Sequence, residues 1–168
     1  MNNSNQPVRI VLVDDHPMVR EGLADVIRRE PDLTVCGEAE SLHQALEVII
    51  ATQADMVLVD LNLKNSHGLD LIKDISIRCP KMRMLVLTMY DEHLYAERVI
   101  RAGAHGFITK QEATKNIIAA IRCVLSGQMY LTDSAATQIA KKVLRQSNPN
   151  LPGVESFSRI HAVGIKYS

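Results

Sequence analysis

Short apolar runs alternate along the chain with longer stretches whose apolar residues recur at helical spacing. Residues 8–13 read VRIVLV, a run suited to a buried strand, and it stops at Asp14-Asp15. Residues 16–30 then set Met18, Val19, Leu23, Val26 and Ile27 along one helical face until Pro31-Asp32 breaks the pattern. The alternation repeats four more times. It predicts strands over 33–37, 56–59, 82–87 and 105–108, and helices over 42–52, 68–78, 92–101 and 113–125. Ser41 supplies an N-cap, Cys79-Pro80 and Gly103 supply stops, and Gly127 lies just past the fifth helix. Five strand-helix units predict an α/β fold: a three-layer αβα sandwich with a five-stranded parallel sheet, covered on both faces and joined by right-handed crossovers.

In open sheets of this kind the ligand crevice lies at the carboxyl ends of the strands. The residues there are Asp14, Asp15, Asp60, Thr88 and Lys110. Four strands thus deliver three carboxylates, a hydroxyl and an ammonium to one edge. At about 4 Å each carboxylate pair repels by roughly 1 kcal/mol in water and ~4 at intermediate dielectric, so the cluster needs a cation. All-oxygen donors select a hard divalent ion, and carboxylates plus waters suit Mg²⁺. Asp15 and Asp60 are assigned as direct ligands, with Asp14 acting through water and Lys110 adding a second positive charge. Asp60, alone at the centre of the strand set, is the candidate nucleophile toward phosphorus, giving an acyl phosphate. Mg²⁺ and Lys110 then stabilise the transferring oxygens, and the Thr88 hydroxyl can donate to one of them.

Composition narrows the class. The chain has 168 residues, enough for one domain and an appendage, with 46% hydrophobic and 23% charged residues. Lys plus Arg and Asp plus Glu number 19 each, a balance that argues against a strongly basic nucleic-acid-binding domain. Three widely spaced cysteines without a Cys-x-x-Cys pair read as reduced thiols rather than a zinc site. Residues 1–7 are polar and uncharged, unlike a signal peptide, and no apolar run approaches the ~20 residues of a membrane span. A cytoplasmic protein is the expectation.

Taken together, the acidic pair, Asp60, Thr88 and Lys110 resemble the motif set of bacterial two-component response regulators. The resemblance covers residues 8–127, and the strings VLVDDHPMVREGL, LVDLNL, HGLDLI and AGAHGFITK are similar to receivers of the NarL/LuxR-type subfamily. It implies the flavodoxin-like strand order 2-1-3-4-5 and phosphorylation of Asp60 by a sensor histidine kinase with Mg²⁺, followed by slow autodephosphorylation. Thr88 becomes the switch hydroxyl, Phe107 the switch aromatic that turns inward on activation, and the backbone carbonyl of Asn62 a further metal ligand. The chain is then a phosphoacceptor switch rather than an enzyme with turnover. Output is expected through the fourth helix, fifth strand and fifth helix, with homodimerisation there or through the first and fifth helices. The expected organisation is a receiver over 7–127, a linker helix over 128–146 and a flexible tail over 147–168. SNPNLP at 147–152 is linker-like, and the 16 residues after Pro152 lack a recognition helix, so DNA binding by this chain as it stands is not expected. A natural single-domain receiver and a truncated reading frame both fit.

Plainer readings compete. Asp14-Asp15 alone suits an acidic helix start, Phe107 suits ordinary core packing, and Lys110 a solvated charge. His16 is read as a solvated loop residue, because Mg²⁺ prefers oxygen. An aspartyl-nucleophile phosphatase would want Asp-x-Asp where the chain has Asp60-Leu61-Asn62, and a flavin binder would want a Gly-rich loop after the first strand. An interaction module without phosphorylation is the remaining alternative.

Overall fold

A computed structural model describes residues 6–61, 68–89 and 93–147 of the chain. Strands β1 (Val8–Val13), β2 (Leu33–Ala39), β3 (Met56–Asp60), β4 (Arg83–Thr88) and β5 (Gly106–Thr109) alternate with helices α1 (Pro17–Arg28), α2 (Leu42–Thr52), α3 (Gly68–Arg78), α4 (His93–Ala102) and α5 (Lys110–Leu125); α6 (Asp133–Ser147) closes the described chain. The strands form one parallel sheet in the order β2-β1-β3-β4-β5. This is the anticipated doubly wound arrangement.

Alternation along the strands divides the core between the two faces. Val11, Val13, Val57, Val59, Val86 and Phe107 pack toward α2, α3, α4 and α6. Ile10, Leu12, Leu58, Leu85, Leu87 and Ile108 pack toward α1 and α5. β3, buried at all five positions, is the middle strand. Its burial on both faces explains why its sequence reads as a continuous apolar run.

Several elements differ from the expected bounds for local reasons. Helix α5 starts at Lys110 rather than residue 113, because the Thr109 Oγ1 accepts the Glu112 N–H at 3.1 Å and caps a polar first turn that hydrophobic periodicity does not register. β2 runs on to Ala39, which pairs with Val13, after a register shift that leaves Cys36 as an extra residue. β4 and β5 each begin one residue later than expected. The helix anticipated over 128–146 is α6, which starts only at Asp133: Tyr130 bridges to Gly106 of β5 instead, and the first turn is capped by Thr132 Oγ1 accepting from Ala135 N–H at 3.1 Å. The three cysteines are unbridged.

Candidate functional site

Strand register sets the site. Val13 pairs with Val59, Asp60 with Leu87, and Leu87 with Ile108. Asp14 therefore leaves β1 level with Asp60, while Thr88 and Lys110 follow within two residues at the ends of the next strands. Asp14 (3% exposed), Asp60 (1%) and Thr88 (2%) are the buried polar residues of the described chain. Gly68, the first residue of α3, lies so close behind that a Cβ there would sit 2.9 Å from the Asp60 carbonyl oxygen. Only glycine admits this approach of helix to strand end.

Lys110 ties the edge together. Its Nζ lies 3.1 Å from Asp60 Oδ2 and 3.2 Å from Asp14 Oδ2. Burial by itself pulls this ammonium's pKa down, but the charge and hydrogen bonds of Asp60, and then of Asp14, outweigh it and hold Lys110 above its ordinary value. Against one ammonium stand three carboxylates, so the edge carries net negative charge. Ligand atoms of Asp14, Asp15, His16 and Asp60 all lie within 4.8 Å of one another. The donor set is dominated by hard oxygens and carries the charge that a divalent cation balances, so it fits Mg²⁺.

His16 departs from the expected solvated loop residue. Its side chain is 52% exposed, yet Nδ1 sits 2.9 Å from Asp14 Oδ1 and 3.0 Å from Asp15 Oδ1, with Asp60 Oδ2 at 3.8 Å. The cause is local. Pro17 follows and holds His16 in an extended conformation (φ −99°, ψ 104°). The His16 N–H also donates to Asp14 Oδ1 at 2.9 Å, a tight turn that brings the ring back over the acidic pair. Arg20 is a second residue that the sequence did not single out. Its guanidinium donates to the Asp14 backbone oxygen and pairs with Glu40 at 3.3 Å, fastening the end of β1 to α1. The signal for both was their proximity to Asp14-Asp15 at the start of α1.

Thr88 ends β4 beside Asp60's strand, buried. Phe107 is fully buried on β5, paired with Val86 and packed on the α4 side. It therefore already points inward. Asn62, the anticipated carbonyl ligand, lies outside the described residues, as does the tail from 148 onward. Beside the cluster, α1 and α5 frame an apolar groove of about 370 Å³ lined by Met18, Leu23, Leu87, Ile117 and the stem of Lys110.

The family model described as the response regulator receiver domain matches residues 10–122. The chain is 34% identical over 136 residues to the DNA-binding transcriptional activator DevR/DosR of Mycobacterium tuberculosis, covering 81% of this chain and 63% of that protein. It is 33% identical over 138 residues to the transcriptional regulatory protein YxjL of Bacillus subtilis, covering 82% and 63%. It thus spans less than two thirds of either relative's length. Among solved structures it is similar to a LuxR-family two-component response regulator from Aurantimonas sp. SI85-9A1, with a TM-score of 0.76 and 32% identity over 83% of this chain and 99% of that one. The receiver domain of a response regulator, NarL, from Mycobacterium tuberculosis superposes with a TM-score of 0.66 at 29% identity, covering 71% and 97%.

Proposed function

We propose, on the premise that the chain belongs to the response regulator receiver family, that it takes a phosphoryl group from a sensor histidine kinase onto Asp60. The observation that carries this reading is Asp60 itself: a carboxylate 1% exposed at the end of the central strand, held by Lys110 at 3.1 Å within a cluster of acidic side chains. Burial and the ammonium of Lys110 hold the Asp60 carboxylate in one place, the pre-organisation a nucleophile needs. One carboxylate oxygen attacks the phosphorus of a phosphohistidine. The P–O bond forms as the P–N bond breaks, and the imidazole leaves with the electron pair. Water later cleaves the acyl phosphate, returning Asp60 and inorganic phosphate.

Asp15 and Asp60 would hold Mg²⁺ directly in this reading, with Asp14 through water and the Asn62 backbone carbonyl as a further ligand, and the ion would supply positive charge for the phosphoryl oxygens. Lys110 stabilises the same oxygens from the β5 side, and Thr88 donates its hydroxyl to one of them. Thr88 and Phe107 are the switch pair, acting on the surface of α4, β5 and α5. The apolar α1–α5 groove, with Met18 84% exposed at its lip, seats the phosphodonor protein next to Lys110. The receiver occupies 7–127 in this reading, and the segment after it carries the linker helix α6, Asp133–Ser147. Its relatives being transcriptional regulators, the output proposed is control of transcription within a two-component system.

The test is the intact mass of the protein after incubation with acetyl phosphate and Mg²⁺, beside Asp60→Ala. A gain of about 80 Da, one phosphoryl group, in the wild type alone is the expected result. No gain by the folded wild-type protein, or an equal gain by the variant, overturns the assignment and favours an interaction module.

A further inference from the structure

The α4–β5 face, through which a switch at Thr88 and Phe107 would act, is covered by the chain's own C-terminal segment. Two independent sets of contacts do this. First, Tyr130 pairs with the outer edge of β5. The Phe107 N–H donates to the Tyr130 carbonyl at 2.8 Å, the Tyr130 N–H donates to the His105 carbonyl at 3.1 Å, and the Tyr130 hydroxyl reaches Glu112 on α5 at 2.7 Å. Second, α6 lies on α4. Leu131, Ala135 and Ala136 are buried in the same apolar cluster as Ala96 and Val99 of α4 and Phe107 of β5. At the rim of that seam, Lys142 pairs with Glu97 at 2.5 Å, Glu97 pairs with Arg101 at 2.9 Å, and Arg101 reaches Gln146 at 3.4 Å.

These contacts bear on what Phe107 can signal. Its ring is already fully buried, so an exposed-to-buried rotation has nothing to report. What its displacement would change is the packing of Leu131, Ala135 and Ala136. The alanines leave no long side chain to absorb a shift, and a close-packed seam passes displacement on to its neighbour. The Phe107 amide is bonded to the Tyr130 carbonyl as well, so movement of β5 draws on the root of α6 directly.

We propose that α6 is a clasp on the α4–β5 face, and that phosphorylation of Asp60 loosens it through Phe107 and Tyr130, making α6 the element that carries the signal outward. This rests on the phosphoacceptor reading above. Coupling of this kind is reciprocal: if phosphorylation loosens α6, loosening α6 promotes phosphorylation.

The experiment measures amide hydrogen exchange in residues 133–147 of the full chain, with and without acetyl phosphate and Mg²⁺, while intact mass reports phosphorylation of the same samples. The clasp predicts exchange in α6 faster by about tenfold on phosphorylation, within the usual range of allosteric coupling, with β1 and β3 unchanged. Glu97→Lys sets a cation against Lys142 and Arg101. It should speed α6 exchange without phosphodonor and raise the rate of labelling several-fold, and the charge swap Glu97→Lys with Lys142→Glu should reverse both effects. A mass gain with α6 exchange unchanged leaves Asp60 as phosphoacceptor and overturns the clasp. So does a Glu97→Lys chain that loosens α6 yet labels at the wild-type rate. Absence of any mass gain overturns the phosphoacceptor reading, and the clasp with it.

Discussion

Replacing Lys110 by methionine keeps the length of the stem and removes the charge that binds Asp14 to Asp60. At 3.1 and 3.2 Å, each attraction is worth about 5 kcal/mol at an effective dielectric near 20. Most of that gross energy is offset by the desolvation of a side chain only 11% exposed. Removing one partner from a buried ion pair costs roughly 3–5 kcal/mol, because the other partner stays buried and uncompensated. Here two carboxylates are left so, and the methionine stem still packs in the α1–α5 groove. The expected loss is therefore about 3 kcal/mol or more in chelator at pH 7.5. With a denaturant slope near 2 kcal/mol/M, the urea midpoint falls by about 1.5 M. A second signature follows from linkage. The folded-state pKa of Lys110 is raised above 10.5, so its contribution is complete below that pH and is lost as pH rises through the folded value. Wild type should lose this increment on the alkaline side, and Lys110→Met should not. A midpoint shift below about 0.5 M, or a more stable variant, would show that Lys110 does not neutralise the acidic edge and would refute the electrostatic account of the site.

Two further outcomes follow from other groups. His105 is shifted below its ordinary value of 6.5 by burial and by Arg83, while its Nδ1 accepts the Met84 N–H at 3.1 Å; the unfolded chain takes up this proton first, so stability should fall as pH drops below about 6.5, and His105→Gln should flatten that slope in urea melts between pH 7.5 and 5.5, an unchanged slope refuting the assignment. Mg²⁺ should stabilise wild type by about 1.4 kcal/mol for each tenfold excess over its dissociation constant, seen as a rise in melting temperature, and Asp15→Asn should lose most of that rise, whereas equal rises in the two proteins would place the ion elsewhere.

Most of the sheet was legible because four of its strands announce themselves twice, by an apolar run and by the polar residue at or just past its end, whereas β2 (LTVCGEA) offers only a short mixed run. Asp14, Asp60, Thr88 and Lys110 could be placed together from the sequence, since parallel connectivity alone puts strand ends on one edge. What the sequence hid depends on contacts between distant segments or on single backbone angles. His16 turns onto the acidic pair because Pro17 restricts it, an effect that reading His16 by its metal preference overlooks. Residues 128–131 have no strand periodicity, so Tyr130's place beside β5 left no trace in the pattern. The amphipathic spacing of α6 shows that one face is buried, but not that α4 is what buries it. Phe107 reads equally as core or as switch, because an aromatic in a buried strand satisfies both descriptions.

The pairing of Tyr130 with β5 also bears on how the sheet ends. An edge strand with free N–H and C=O groups can template the addition of another chain, and β5, only four residues long, has its Phe107 amide engaged by Tyr130, as is the carbonyl of His105 just before it. The opposite edge, β2, is interrupted at Cys36, where the register shift bends the strand out of line. Among the described residues neither border of the sheet offers an incoming strand a long straight run, which disfavours growth by strand addition.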